Sequence, residues 1–574
     1  MRLLATRLTA IASAVKRLFS PASLFRNSEQ GLWLDPSDFS TLFQDSAGTK
    51  PVTAVEQPVG LMLDKSKGLV LGPELVTNGG PFTSTTSWVE RANCTLSVSG
   101  TSLVGTSTNT SAMRFYYPFA TVIGKTYKVV FNSTTVTGTS PAAYIYSDVG
   151  ITQIATVVTP IPASYTLTFT ATTTNTIVEF GNVGNTAAGQ VYTVSSISVR
   201  ELPGNHATQA TAASRPVLSA RVNLLTYSED FSNAAWTKTD TTATTSSIVE
   251  TATANVHRIY QTLSLTSPTT LSVEAAQGIG ARYLTIGSNN STANYGTVTF
   301  DLSTGAVTQT LSAGTFAGLV TGSSVAVGGG YYRYIVAVST VVFIDAQIGL
   351  ANTGTFTPTS RGFCSYTGDG TSSILIRKAQ LETGSTATRY QSITTATSYD
   401  TVGFPHGDKF DGVDDALATA AGGGATTAFF WCSSIVVGKI GAAQTLFSDT
   451  GTNTGYLVRI NASNQLALSA GNGAAYTTIA TVPTLAVGQR AVLTAWDDGV
   501  NLNVQIDNGA VASVARPVVS AGTAAITIGK DNGAATSFFL GSIYEKIYVK
   551  DDVQTASQIT SAKAFCAQKA GVTL

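Results

Sequence analysis

Few side chains in this sequence could carry chemistry. Three histidines are present: His206 in an Asn/Thr/Gln-rich connector, His257 in a strand-like stretch and His406 in a Pro-Gly loop. None has a Ser-containing elbow, a metal-ligand partner at helical spacing or a neighbouring cysteine, so each reads as a solvated or hydrogen-bonded structural residue. Cys94, Cys364, Cys432 and Cys566 fit no zinc spacing and are too sparse for a disulfide framework. Buried free thiols are expected, with a Cys432–Cys566 bridge left open. Asp411, Asp414 and Asp415 are the densest acidic cluster and the candidates for Ca²⁺ ligation, because a hard cation takes oxygen ligands. The competing reading is a turn at Asp411-Gly412 whose carboxylates accept backbone N–H groups. Asp497, Asp498 and Asp507 read mostly as turn residues in the same way. Glycoside hydrolysis needs two carboxylates across one cleft, and nothing in the sequence makes a pair such as Glu229-Asp230 converge on another acid. Sugar binding needs exposed rings with polar neighbours, and Tyr331, Tyr332, Tyr476 and Trp496 are the candidates, with core packing as the alternative for each. Trp33, Trp88 and Trp236 are assigned to cores.

These residues must be positioned by strands. A chain of 574 residues is too long for one core and implies roughly three or four modules. Thr, Ser, Gly, Ala and Val dominate, and charged residues are only 11%, which suits short strands and tight turns rather than exposed helices. The fold class read from this is all-β. The 33 basic and 33 acidic residues cancel and form no basic stripe, so nucleic-acid binding is not expected. No window carries the roughly 18 apolar residues of a membrane span. The opening MRLLATRLTAIASAVKRLFSP is superficially like a signal peptide. Arg7 breaks its apolar run, however, and Lys16 and Arg17 stand where a cleavage region is small and neutral, so secretion is the minor reading.

The same opening carries a second pattern. Met1, Leu4, Leu8, Ile11, Val15 and Leu18 follow the spacing 3, 4, 3, 4, 3, a heptad seam ended by Pro21. A helix this short is marginal alone. Leu4, Leu8, Ile11, Val15 and Leu18 are therefore read as an anchor or oligomerisation seam, with a homotrimer preferred. A helix lying on its own β domain and a membrane-surface helix are the alternatives.

Two β stretches share a plan. ELVTNGGPFTSTTSWVER and NLLTYSEDFSNAAWTKTD open with an aliphatic pair, then Phe, then Trp, and SSISVRELPG and SSILIRKAQLETG close them. With Phe82 and Trp88, Phe231 and Trp236, and GGGYYRYIVAV, these stretches resemble the carbohydrate-binding-module-type jelly rolls of phage tail and virion proteins. KFDGVDDAL, TLFSDTGTNTGYLVRINASNQLALSAG, AWDDGVNLNVQIDNGAVASV and ITIGKDNGAATSFFLGSIYEKIYVKD resemble the laminin G/concanavalin A-like lectin fold. Thr555 with Gln558 resembles a capping box opening a terminal helix. GLWLDPSDFSTLFQDSAGTKPVTAVEQPVGLMLDKSKG resembles the first segment of phage laminin-G-like domains, and GNHATQATAASRPVL its continuation.

The resemblance implies a multi-domain β-sandwich, with jelly rolls inserted into a concanavalin A-like sandwich and a short N-terminal α-helix. The expected units are 1–30, an anchor; 31–72 with 203–222 and 396–574, the split lectin-like domain; and 73–202 and 223–395, the inserted jelly rolls. Insertion at surface turns is tolerable because loop-closure entropy grows slowly with length. The resemblance favours the turn role for Asp411, Asp414 and Asp415, and no cofactor is expected. It implies a bacteriophage tail fibre on the host-facing exterior of the virion, assembled in the host cytoplasm. That fibre would join other virion proteins through its N-terminal segment and adhere to host surface polysaccharide. A head fibre or capsid-decoration protein and a polysaccharide depolymerase are the alternatives, and the chain is expected not to be an enzyme.

Overall fold

The computed structural model describes residues 19–574 apart from 149–151, 159–162, 185–186, 267, 340–341, 423, 523 and 533–536. Leu4, Leu8, Ile11, Val15 and Leu18, and with them the expected N-terminal helix, lie outside the described residues. What is described is a multi-domain β-sandwich. Its strands form two nine-stranded, two six-stranded and two five-stranded sheets, plus a small two-stranded one.

The two nine-stranded sheets draw on three stretches of chain. In one, Leu540–Lys550 is central: Gln30–Leu34 and Gly407–Asp411 share one of its edges, and Phe429–Val437 takes the other. In the facing sheet, Ala207–Thr208 lies between Leu61–Met62 and Leu417–Gly422. Strand Phe429–Val437 (FFWCSSIVV) is a continuous apolar run because it is covered on both sides. Phe429, Trp431 and Ile435 join the core between the sheets, whereas Phe430 and Cys432 face the terminal helix Ala556–Ala570. That helix opens on Thr555, whose hydroxyl accepts the Gln558 N–H while the Gln558 side chain accepts the Thr555 N–H. It ends at Gly571, where φ is 66° and a left-handed cap suits glycine. All four cysteines are buried and unbridged, with Cys432 Sγ 3.6 Å from Cys566 Sγ under the helix.

Residues from Val89 to Leu202 build the five-stranded pair. Strand Thr126–Val136 alternates, so Tyr127, Val129 and Phe131 point into a core shared with Phe115, Phe180 and Trp88. Residues from Thr237 to Thr383 build the six-stranded pair around Phe231, Trp236, Phe300 and Tyr334. The two units repeat one device. Trp88 Nε1 donates to the Asn78 carbonyl at 2.9 Å, and Trp236 Nε1 to the Tyr227 carbonyl at 3.0 Å. A buried indole thereby keeps its one polar atom satisfied.

Each smaller sandwich leaves and rejoins the chain at adjacent points. For the first, Gly72 N donates to Glu201 O at 2.9 Å, and His206 beside it is buried. The His206 Nδ1 accepts the Asp64 N–H at 2.9 Å and its Nε2 lies 3.0 Å from Leu202 O. Burial holds this imidazole below its usual pKa, so the neutral ring that can accept at Nδ1 is favoured. For the second, Leu224 N donates to Leu381 O, and the fully buried Gln391 takes the Val222 and Asn223 N–H groups while donating to Ala220 O.

The nine-stranded sheet also buries an ion pair, Lys546 with Asp408. Burial raises the Asp408 pKa against the opposing pull of Lys546, and with Asp408 Oδ1 unpartnered among the described residues the carboxyl depends on Lys546 for its side-chain partner. Lys546→Met is expected to lower stability by about 3–5 kcal/mol in denaturant unfolding, and adding Asp408→Leu to restore most of it. Equal stability of Lys546→Met and the unaltered chain would refute the pair's structural role.

Candidate functional site

The candidate site is a cleft of about 1400 Å³. Its floor is the outer face of the nine-stranded sheet at Val436, Ser542 and Tyr544, and the terminal helix forms one wall through Ala564, Phe565 and Gln568. The far wall is one end of the six-stranded unit, residues 382–389 with Arg221 and Leu224. The turn before strand Arg490–Asp497 closes the gap between them. Gly488 there has φ of +75°, and a Cβ on it would stand 2.6 Å from Gly384 N, so only glycine allows the two units to touch.

The cleft is electrically lopsided. Arg490 gives Nη1 to Ala570 O at 2.6 Å and lies over the Tyr544 ring, with no carboxylate in contact among the described residues. Arg221 spends its guanidinium on the carbonyls of Asn223, Leu224, Leu225 and Ala396, which hold it rigidly but leave its charge unmatched. Arg389 is 62% exposed, rests over the Phe404 ring and reaches Asp400 only at 3.7 Å. Lys569 is already tied to Asp35 and Glu545. The one carboxylate in the lining, Glu382, is buried and satisfied by Thr388 and Gln380. His406 also lines the cleft, half-buried and edge-on to Phe39 at 5.3 Å. Burial lowers its pKa, and neither ring nitrogen has a hydrogen-bond partner among the described residues, so the neutral imidazole presents one donor and one acceptor to the cleft.

None of the four rings singled out from sequence lines this cleft. Tyr331 carries the Arg377 guanidinium 4.0 Å from its centroid, and Tyr332 packs against Tyr334 and the core of the six-stranded unit. Trp496 is half-buried in the cluster under the terminal helix. Tyr476 is the exposed one, at 37%, on the edge strand of the facing sheet, where its hydroxyl donates to Gly451 O at 2.9 Å. The four thus sit on three different sheets.

Asp411, Asp414 and Asp415 do come together, their oxygens within 4.8 Å of one another. Asp411 Oδ1 accepts the Val413, Asp414 and Asp415 N–H groups, Asp415 Oδ2 accepts the Asp411 N–H, and Asp414 takes the Ser214 hydroxyl at 2.9 Å. Burial, reinforced by Asp411, lifts Asp415 to about 6. This is a turn that also fastens the chain near Ser214. Asp497 does more than turn: buried, it accepts the Tyr456 hydroxyl at 2.5 Å and Arg516 Nε at 2.6 Å, besides the Gly499 N–H.

Comparison with known proteins adds little beyond architecture. No family model matches the sequence, and no curated protein matches it. Among solved structures, a carbohydrate-binding module of Bacillus subtilis is 14% identical over 25% of this chain and 83% of its own, with a TM-score of 0.18. Domains LG4-5 of the mouse laminin α1 chain are 11% identical over 55% of this chain and 88% of theirs, at a TM-score of 0.23. A Trypanosoma rangeli sialidase in complex with an inhibitor is 10% identical over 84% of this chain and 85% of its own, also at 0.23. At such scores no activity transfers from any of them. The expectation that the chain is not an enzyme is nonetheless corrected: a likeness to a sialidase spans most of the chain, and that exclusion is withdrawn.

One buried acid is not among the candidates drawn from sequence. Asp449 is fully buried with Oδ1 on the Tyr456 N–H and Oδ2 unpartnered, in a slot where Gly424, Gly455 and Gly522 leave no room for a Cβ. Burial raises its pKa from 3.8 to about 7. The folded chain therefore holds a proton that the unfolded chain releases, so this stabilising contribution is complete at low pH and is lost as pH rises through about 7. Asp449→Asn mimics the protonated acid. Its melting temperature is expected to match the unaltered chain near about pH 4 and to exceed it by several degrees near about pH 8. A constant difference across that range would show that Asp449 does not titrate there.

Proposed function

We propose that this chain is a bacteriophage tail fibre component whose β-sandwiches bind glycans on the host surface. The observation that carries the reading is the cleft: about 1400 Å³, walled by two different sandwiches and furnished with Phe565, His406 and three guanidinium groups. A ring for an apolar sugar face beside rigid donors for hydroxyls is the recognition chemistry that oligosaccharides require. In this proposal residues 31–72, 203–222 and 396–574 act as one lectin-like unit from which 73–202 and 223–395 project. The heptad segment Leu4 to Leu18 joins the fibre, as a homotrimer, to other virion proteins, and the sandwiches face outward from the particle.

Two measurements test this. Screening the full-length chain on a glycan array is expected to give binding that falls about tenfold in His406→Ala at unchanged melting temperature. Absence of any glycan signal would overturn the binding reading. Negative-stain imaging of particles decorated with antibody to the chain is expected to show label on the tail, and label on the capsid would overturn the assignment to a tail fibre.

A further inference from the structure

We infer that the ligand of this cleft is an acidic polysaccharide, whose carboxylate or other anionic substituents lie against Arg389 and Arg490. The inference rests on the glycan reading and narrows it. A chain with 33 basic and 33 acidic residues gathers Arg221, Arg389 and Arg490 around one cavity and lines it with a single, internally satisfied carboxylate. Local excess charge of this kind is costly to hold together without a counter-charge, and among the described residues only Arg389 meets one, Asp400 at 3.7 Å, while Arg221 and Arg490 have no carboxylate partner.

The three arginines are placed for different tasks. Arg221 is immobilised by four backbone carbonyls and contributes field alone. Arg490 is anchored through Nη1 only, so Nε and Nη2 have no hydrogen-bond partner among the described residues. Arg389, at 62% exposure and fixed over Phe404, offers its fork from the opposite wall. A planar fork binds a carboxylate through two parallel hydrogen bonds, which a neutral hydroxyl cannot reproduce. His406, neutral and unpartnered, then suits a sugar hydroxyl, and Phe565 an apolar ring face. Three guanidinium groups gathered at one cleft, in a chain of zero net charge, favour a single glycan chain over duplex DNA, which calls for a broad basic surface.

The test uses the full-length chain with polygalacturonate, hyaluronate and polysialate fragments, each beside its carboxyl-reduced form, by calorimetry at low and high salt. At least one acid form is expected to bind about tenfold or more tightly than its reduced form, with affinity falling as salt rises. Arg389→Ala and Arg490→Gln are each expected to weaken the acid form about tenfold while leaving the reduced form unchanged. Because Arg490 also holds the end of the terminal helix, Arg389→Ala is the decisive variant, read only where its melting temperature is unchanged. Equal affinity for acid and reduced forms overturns this inference and leaves the glycan reading standing. No binding of either form, together with a silent glycan array, removes both. A duplex DNA fragment bound as tightly as the acid glycans, with the same dependence on Arg389, overturns it in favour of a nucleic-acid groove.

Discussion

The structure depends on what strand Leu540–Lys550 must collect. One edge has to accept Gln30–Leu34 and Gly407–Asp411 end to end, and the other the whole of Phe429–Val437. Pairing strands separated by most of the chain is entropically expensive and slow. The fold eases that demand by sealing each intervening sandwich at its own base, so the separated pieces are delivered close to one another. The buried Lys546–Asp408 pair then fixes which strand lies beside which, because a slip in register would strand one charge in an apolar layer. Glu545, next to Lys546, performs a related task, accepting Trp33 Nε1 at 3.0 Å and so tying the first strand to the last.

The cleft is a by-product of that closure. The sheet face over Leu540–Lys550 is partly covered by the terminal helix, and the remainder is left open toward the six-stranded unit. Its walls are held rather than loosely apposed, since Gly488 meets Gly384 at one end and the Gln391–Asn223 network stiffens the connection at the other. A binding surface shared by two sandwiches is sensitive to their relative angle, which explains why so many buried amide hydrogen bonds are concentrated at the joint.

The sequence carried the architecture better than the site, for physical reasons visible in single residues. Alternation is a local property, so Tyr127, Val129 and Phe131 could be placed on one buried face before any coordinates. Trp88 and Trp236, assigned to cores, are buried there, and Thr555 with Gln558 caps the terminal helix. Exposure is not local. Whether Tyr331 presents a face depends on Arg377 from a neighbouring part of the sheet, and whether Asp497 is a turn residue depends on Tyr456 and Arg516. Arg221, Arg389, His406 and Arg490 sit in four unremarkable contexts, and no spacing signals that they share a cavity. His406 was legible only as a loop histidine, because the missing hydrogen bonds that make it available are a tertiary fact.

The sealed bases of the two smaller sandwiches have a consequence of their own. Where Gly72 meets Glu201 and Leu224 meets Leu381, a chain departs and comes back within one hydrogen bond's length. Such a stem behaves as a socket: whatever is plugged into it needs neighbouring ends and must fit the few contacts made beyond the stem, Thr168 on Ala47 for the first unit and Gly384 on Gly488 for the second. Exchanging what is plugged in at such a stem would change the projecting surface while the sheet pairings of the large sandwich stay as they are.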